Sequence, residues 1–151
     1  MTVPGPETRG TATVVALHAS TKNRVPLTSL ERAKVTENRG LEGDRHSLPN
    51  NRRALLLMTQ ESLDQFGLRP GDVREQVTVS GLDLHGLVFG SRLKIGSAVL
   101  EVAGLCAPCE RMEELGAGLQ AKLDGRRGRF VRVVEGGDIR VGDAIVVEPP
   151  S

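Results

Sequence analysis

The sequence has almost no aromatic side chains: Phe66, Phe89 and Phe130 stand alone, with no tryptophan and no tyrosine. That removes the stacking platforms on which a single-strand nucleic-acid binder depends. Excess charge of one sign is also missing. The formal net charge is +1, so no global field recruits nucleic acid or a membrane surface. Lysine is scarce: of the 20 basic residues only Lys22, Lys34, Lys94 and Lys122 are lysines. The remaining arginines suit forked recognition of phosphate or carboxylate, although a compositional bias of the whole proteome produces the same pattern. No apolar run approaches the ~20 residues that span a bilayer. The opening "MTVPGPETRG" lacks the apolar centre of a signal peptide and reads as a flexible arm over residues 1–10. Two cysteines without a secretory signal fit a reducing cytoplasm, where chemistry or metal is favoured over a structural disulfide.

What the chain does contain is enough for one working core. Its 151 residues fit a single domain, placed at residues 11–148, and 18 glycines with eight prolines imply many turns. "TATVVALHAS" (Thr11–Ser20) opens as a strand, and residues 21–40 read as a polar connection with one extended piece. "GLEGDRHSLPNN" (Gly40–Asn51) is a turn-rich loop, and "RRALLLM" (Arg52–Met58) has the continuous apolar run of a strand buried on both faces. Thr59 has N-cap chemistry for "QESLDQFG", with Gly67 as the stop. A further strand is expected over Gln76–Ser80. "RLKIGSAVLEV" (Arg92–Val102) and "DIRVGDAIVVE" (Asp138–Glu148) share one pattern and both predict hairpins about a central glycine. About seven strands and two short helices, without βαβ alternation, predict a mainly β fold. A closed or nearly closed barrel with peripheral short helices removes the exposed edges.

The chemistry gathers in "AGLCAPCERMEEL", Ala103–Leu115, where a C-x-x-C lies between an apolar run and a helix-like run. A zinc clip needs four ligands, and the only other soft ligands, His18, His46 and His85, are scattered. A thioredoxin-like dithiol has the right local setting but lacks the βαβ order and the later facing proline. A single working thiolate is the third reading. Cys109 falls at the start of the "ERMEEL" helix, where unpaired N–H groups and the helix dipole favour the ionised thiol. Such a sulfur ligates a soft metal or carries a persulfide, and Cys106 is the weaker candidate. Either cysteine is otherwise a small buried hydrophobe.

The pieces "GLEGDRH", "LLLMTQESLD", "RPGDVREQVTVSGLDL", "GSRLKIGSAVLEVAGLCAPCERMEEL" and "GRFVRVVEGGDIRVGDAIVV" together resemble the MOSC domain, named for the C-terminal part of molybdenum cofactor sulfurases. The likeness covers roughly Thr11 to Val147 and is greatest to small stand-alone bacterial members. It implies a pyruvate-kinase-like β-barrel and a role with the molybdenum cofactor (molybdopterin), in sulfur transfer or in reduction of N-hydroxylated compounds. The family's key cysteine aligns with Cys109, as molybdenum ligand or sulfur carrier. Its G-D-R-H and R-E-N motifs fall on Asp44, Arg45, His46, Arg74, Glu75 and Gln76, where Gln76 replaces the usual asparagine. Arg45, Arg53, Arg74 and Arg111 offer forked donors for the cofactor's phosphate and pterin; each is otherwise a solvated surface charge. His46 is either an acid/base group near neutral pH or the maker of a loop-ordering hydrogen bond. "GRRGR" (Gly125–Arg129) reads as a solvated turn or, as the lesser alternative, as a contact for an acidic partner or phosphate.

The resemblance further implies that a cysteine desulfurase supplies sulfur, or an electron-transfer protein supplies electrons, and that pyridoxal phosphate does not bind this chain. It leaves the oligomeric state and substrate open. Two competing readings remain: a carrier or interaction module that keeps the fold without molybdenum, and a C-x-x-C thiol oxidoreductase.

Overall fold

The computed structural model describes residues 12–23 and 25–150; the arm expected over residues 1–10 lies outside them. Among the described residues there are ten strands: β1 (Thr13–Ala19), β2 (Thr28–Leu30), β3 (Arg32–Val35), β4 (Leu55–Thr59), β5 (Val77–Ser80), β6 (Arg92–Ile95), β7 (Ala98–Leu105), β8 (Arg129–Glu135), β9 (Gly137–Arg140) and β10 (Ile145–Glu148). Two short α-helices, α1 (Gln60–Gln65) and α2 (Leu119–Lys122), and 3-10 turns at Leu84–Gly86 and Glu110–Glu114 complete the chain. The fold is mainly β, as expected.

Eight strands form one sheet in the order β10-β6-β7-β8-β4-β5-β1-β2, and β3 and β9 pair separately. The ladder does not close on itself. Instead the start of β1 meets the turn before β10: Val14 N–H donates to Asp143 O at 2.9 Å, Gly142 N–H to Val14 O at 2.8 Å and Ile145 N–H to Ala12 O at 2.8 Å. These bonds satisfy backbone groups along part of a free edge, which makes the barrel nearly closed.

Alternation along the strands separates two faces. Leu55 and Leu57 of β4, Val77 and Val79 of β5, and Val131 and Val133 of β8 point into the main core. Leu56 and Phe130 point the other way and pack with Cys106, while Met58 joins Leu63, Val73, Met112 and Leu123. The "RRALLLM" run therefore has no polar alternation because both faces of β4 are covered. β4 and β5 are the parallel pair, and α1 lies in the crossover between them. Thr59 caps α1 by accepting Ser62 N–H at 3.2 Å.

Three local expectations need correction. "RLKIGSAVLEV" is a hairpin, with Ile95 opposite Ala98 and Gly96 at φ +57°. "DIRVGDAIVVE" turns at Gly142 (φ +94°) but does not pair with itself. β9 goes to β3 and β10 goes to β6, so glycine-turn chemistry predicted the bend but not the partners. Residues 21–40 hold two short strands rather than one extended piece. The helix-like run after Cys109 is a five-residue 3-10 helix and a separate four-residue α2, interrupted by Gly116 and Gly118, the latter at φ +81°.

Candidate functional site

The second, outward face of the sheet is where the chemistry collects. Leu56, Gln76, Cys106 and Phe130 contribute to a solvent-open hollow of about 220 Å³. Arg45, His46, Arg53, Arg74, Cys109, Arg111, Met112 and Arg127 complete its lining. Residues 44–53, 74–76, 106–112 and 127–130 are far apart in sequence and meet because β4, β5 and β8 are neighbours in the sheet. Arg74, Arg111 and Met112 also border an adjoining hollow of about 360 Å³ that reaches His18, Pro26 and Pro70. Together the two have the size of ordinary small-ligand sites.

One buried carboxylate organises the loop side. Asp44 Oδ2 accepts Ser20 N–H at 2.7 Å and a Gln76 Nε2 hydrogen at 3.3 Å. Its Oδ1 accepts His46 N–H at 2.8 Å and pairs with His46 Nδ1 at 2.8 Å. A carboxylate only accepts, so Nδ1 carries the proton and the ring's Nε2 is the basic nitrogen. Gln76 Oε1 in turn accepts Leu56 N–H at 2.8 Å, tying the start of β4 to the Asp44 loop. Asp44 and Gln76 thus shape the hollow by holding its backbone.

Glu75 does not line the hollow. It is fully buried, its Oε2 accepting Gly71 N–H at 3.0 Å and the Thr78 hydroxyl at 2.7 Å. Burial pushes its carboxyl above the usual glutamate range, and those hydrogen bonds only partly offset the shift. Its Oε1 has no hydrogen-bond partner among the described residues.

Of the arginines, Arg45 and Arg53 are exposed, whereas Arg74 and Arg111 are half-buried. Arg45 Nε donates to Ser20 Oγ at 3.1 Å, and Arg74 Nη2 reaches the same hydroxyl at 3.1 Å. Arg74 adopts φ +66°, a left-handed geometry that is costly for arginine and often marks function. Burial first, then the like charges of Arg111 and Arg45, lower its pKa, while Asp44 partly offsets them. Several cations crowded about one concavity create a positive potential that an anionic ligand relieves. Arg53 stacks over Phe130, its guanidinium carbon 4.9 Å from the ring centroid, which gives one of the three phenylalanines a defined task.

Both cysteines are free, Cys106 buried and Cys109 exposed. Cys106 N–H donates to Gly128 O at 2.9 Å and its side chain packs on Leu56 and Phe130, so it behaves as the small buried hydrophobe. Cys109 is the N-cap residue of the 3-10 helix and caps nothing with its side chain. A helix of five residues supplies little dipole field. Among the described residues no group of three or more His, Cys, Asp or Glu side chains is placed to hold a metal ion. A metal bound at Cys109 would therefore have to bring most of its ligands with it.

Sequence reasoning missed Arg127. "GRRGR" is not a solvated turn throughout: Arg126 is exposed and donates to Gln65 Oε1 at 2.8 Å, but Arg127 and Arg129 are buried. Arg129 Nη1 and Nε bind the carbonyls of Leu87 and Ala103 at 2.7 Å each, joining the loop before β6 to β7. The signal available was Gly128 between them. Its φ is +128°, and an added Cβ would lie 2.8 Å from Leu57 O. The chain can press this closely on β4 only without a side chain.

Against known proteins, the MOSC domain model matches residues 43–146, a span that contains the whole hollow. The chain belongs to the MOSC domain family. No curated protein sequence matches it. Among solved structures, it is similar to the YuaD protein from Bacillus subtilis, at 22% identity and a TM-score of 0.81, covering 94% of this chain and 98% of that one. YiiM from Geobacillus stearothermophilus is similar at 17% identity and a TM-score of 0.71, over 90% of this chain and 74% of the other. YiiM from Escherichia coli matches at 17% identity and a TM-score of 0.67, over 92% and 71%. At such identities these likenesses establish the shared fold.

Proposed function

We propose that this MOSC protein binds the molybdenum cofactor in the cytoplasm, with Cys109 as ligand to the metal or as carrier of its sulfur. The observation that carries the reading is the placement of an exposed sulfur at a hollow lined by Arg45, Arg53, Arg74, Arg111 and Arg127. A thiolate suits a soft metal, and forked guanidinium donors suit a phosphate or an electron-rich heterocycle. The donor set therefore fits the group. When bound, the cofactor supplies a redox-active metal with sulfur ligands of its own.

The chain's own residues do the rest. Arg74 and Arg111 hold negative charge at the junction of the two hollows, with Arg45 in the wall of the smaller one, and Asp44 orients His46 so that Nε2 is available to take or give a proton. As a sulfur carrier, the Cys109 thiolate attacks the outer sulfur of a donor persulfide. One S–S bond forms as the donor's breaks, the donor leaves as a thiolate, and the terminal sulfur keeps its proton. The donor in that case is a cysteine desulfurase; in a reductase role the partner is an electron-transfer protein.

The test is metal and cofactor content after expression in a host that makes the cofactor. Cys109→Ser should lose molybdenum while Cys106→Ser largely keeps it. Equal retention in both defeats the cysteine assignment. Absence of saturable binding by the reduced wild-type protein favours a fold-retaining carrier module instead.

A further inference from the structure

Arg127 is 7% exposed and lines the hollow beside both cysteines. Among the described residues its Nε and Nη1 have no hydrogen-bond partner. A buried guanidinium left like this is costly unless a counter-charge arrives. The groups within electrostatic reach are Cys106, Cys109, Glu75 and Arg53. Arg53 is a like charge, and burial biases Glu75, the carboxyl group among them, toward its neutral form. The molecule therefore holds a buried guanidinium with no carboxylate hydrogen-bonded to its Nε or Nη1, in the wall of an arginine-lined concavity. Arg129, equally buried in the same segment, has its donors taken up by backbone carbonyls. Arg127 differs in having two nitrogens left over.

We propose that Arg127 forms a small-anion subsite beside Cys109, which takes a tetrahedral oxyanion of the phosphate or sulfate type. Gly128 holds it there: its positive φ and close approach to Leu57 O press the turn onto β4 and keep the guanidinium in the wall of the hollow. The subsite is a property of the apo protein and does not depend on molybdenum. Both the charge and the directional N–H groups contribute, so an ammonium at this position replaces it only in part.

The experiment uses the cofactor-free full chain and inorganic phosphate as probe. Alkylation of Cys109, followed by peptide mass analysis, is compared between negatively charged iodoacetate and neutral iodoacetamide, with phosphate raised at constant ionic strength. Wild type should favour iodoacetate and lose that preference progressively as phosphate fills the subsite. Arg127→Gln should abolish both the preference and the phosphate effect; Arg127→Lys should retain part of each. An unchanged preference in Arg127→Gln overturns the proposal. So does an equal loss in Arg45→Gln, which would signify a diffuse field rather than a subsite. Arg127→Met provides the folding control: replacing an unpaired buried charge with an apolar chain should not lower the Tm. Failure of both Arg127→Gln and Arg127→Met to fold would mean that the guanidinium is neutralised internally, and the proposal falls. Because no cofactor is present, these outcomes are independent of whether Cys109 binds molybdenum.

Discussion

Asp44 and His46 are joined twice within one turn of loop: the fully buried carboxylate receives both the backbone N–H and the ring Nδ1 of His46, each at 2.8 Å. The same carboxylate reaches Ser20 N–H and Gln76. Asp44→Asn replaces an acceptor with an amide whose NH2 faces donors. Urea unfolding should show a loss of about 2–4 kcal/mol, the usual cost of breaking such a buried network. Recovery of wild-type stability would mean that the loop is held by other contacts.

Gln76 stands where the family motif has asparagine, and the structure gives its extra methylene a use. The side chain spans from Leu56 N–H to Asp44 Oδ2. Gln76→Asn is too short to keep both ends and should cost roughly 1–2 kcal/mol, the penalty of one unsatisfied buried group. Thermal melting of the variant against wild type decides it; no change would show that a shift of the backbone or a water takes over.

The two sulfurs should separate cleanly in the folded protein. Cys109, exposed, reacts with a neutral maleimide under native conditions, whereas Cys106 reacts only after denaturant is added. Serine at 109 should leave stability within about 0.5 kcal/mol of wild type, as surface changes usually do. Serine at 106 buries a hydroxyl against Leu56 and Phe130 and should cost about 1–3 kcal/mol. Thiol counting with mass mapping reads the first difference and chemical unfolding the second.

Glu75 should give stability an unusual pH slope. Its folded pKa is raised, by burial above all, so the folded state binds its proton more tightly than the unfolded state does. The associated stability is present in full below the ordinary glutamate pKa and is lost as pH rises through the raised value. Glu75→Gln removes the charge yet leaves a carbonyl to accept from Gly71 and Thr78. Its unfolding free energy should be flatter with pH above about 4.3, the ordinary glutamate pKa, and higher than wild type at neutral pH. A wild-type slope in the variant would mean that another group is responsible.

Gly128→Ala tests the turn that buries Arg127. A methyl there meets Leu57 O and Leu56 Cδ1 at a backbone angle that L-residues rarely adopt. It should destabilise by about 1–3 kcal/mol and weaken the iodoacetate preference of Cys109, while Gly125→Ala, whose added Cβ meets nothing within 4 Å, should leave the preference intact.

Much of this molecule was legible in one dimension because the controlling interactions are local. The Thr59 cap, the Gly96 hairpin and the β4 apolar run follow from residue types at fixed spacing. The G-D-R-H, R-E-Q and C-x-x-C segments each announced polar or soft chemistry, and the hollow brings members of all three together. Strand partners were not legible. The Gly142 bend looks like the Gly96 bend, yet pairing depends on which distant edge is free, and β9 and β10 separate to β3 and β6.

Composition, alternation and capping act over a few residues, so the mainly β character, the site segments and the cysteine pair are readable along the chain. Long-range packing is what turns Asp44 and Glu75 inward, packs Cys106 while leaving Cys109 in solvent, and encloses Arg127 with no partner for Nε and Nη1 among the described residues. Burial is set by whatever arrives from elsewhere in the chain. For a charged side chain, that arrival converts an ordinary surface group into a demand for a counter-ion.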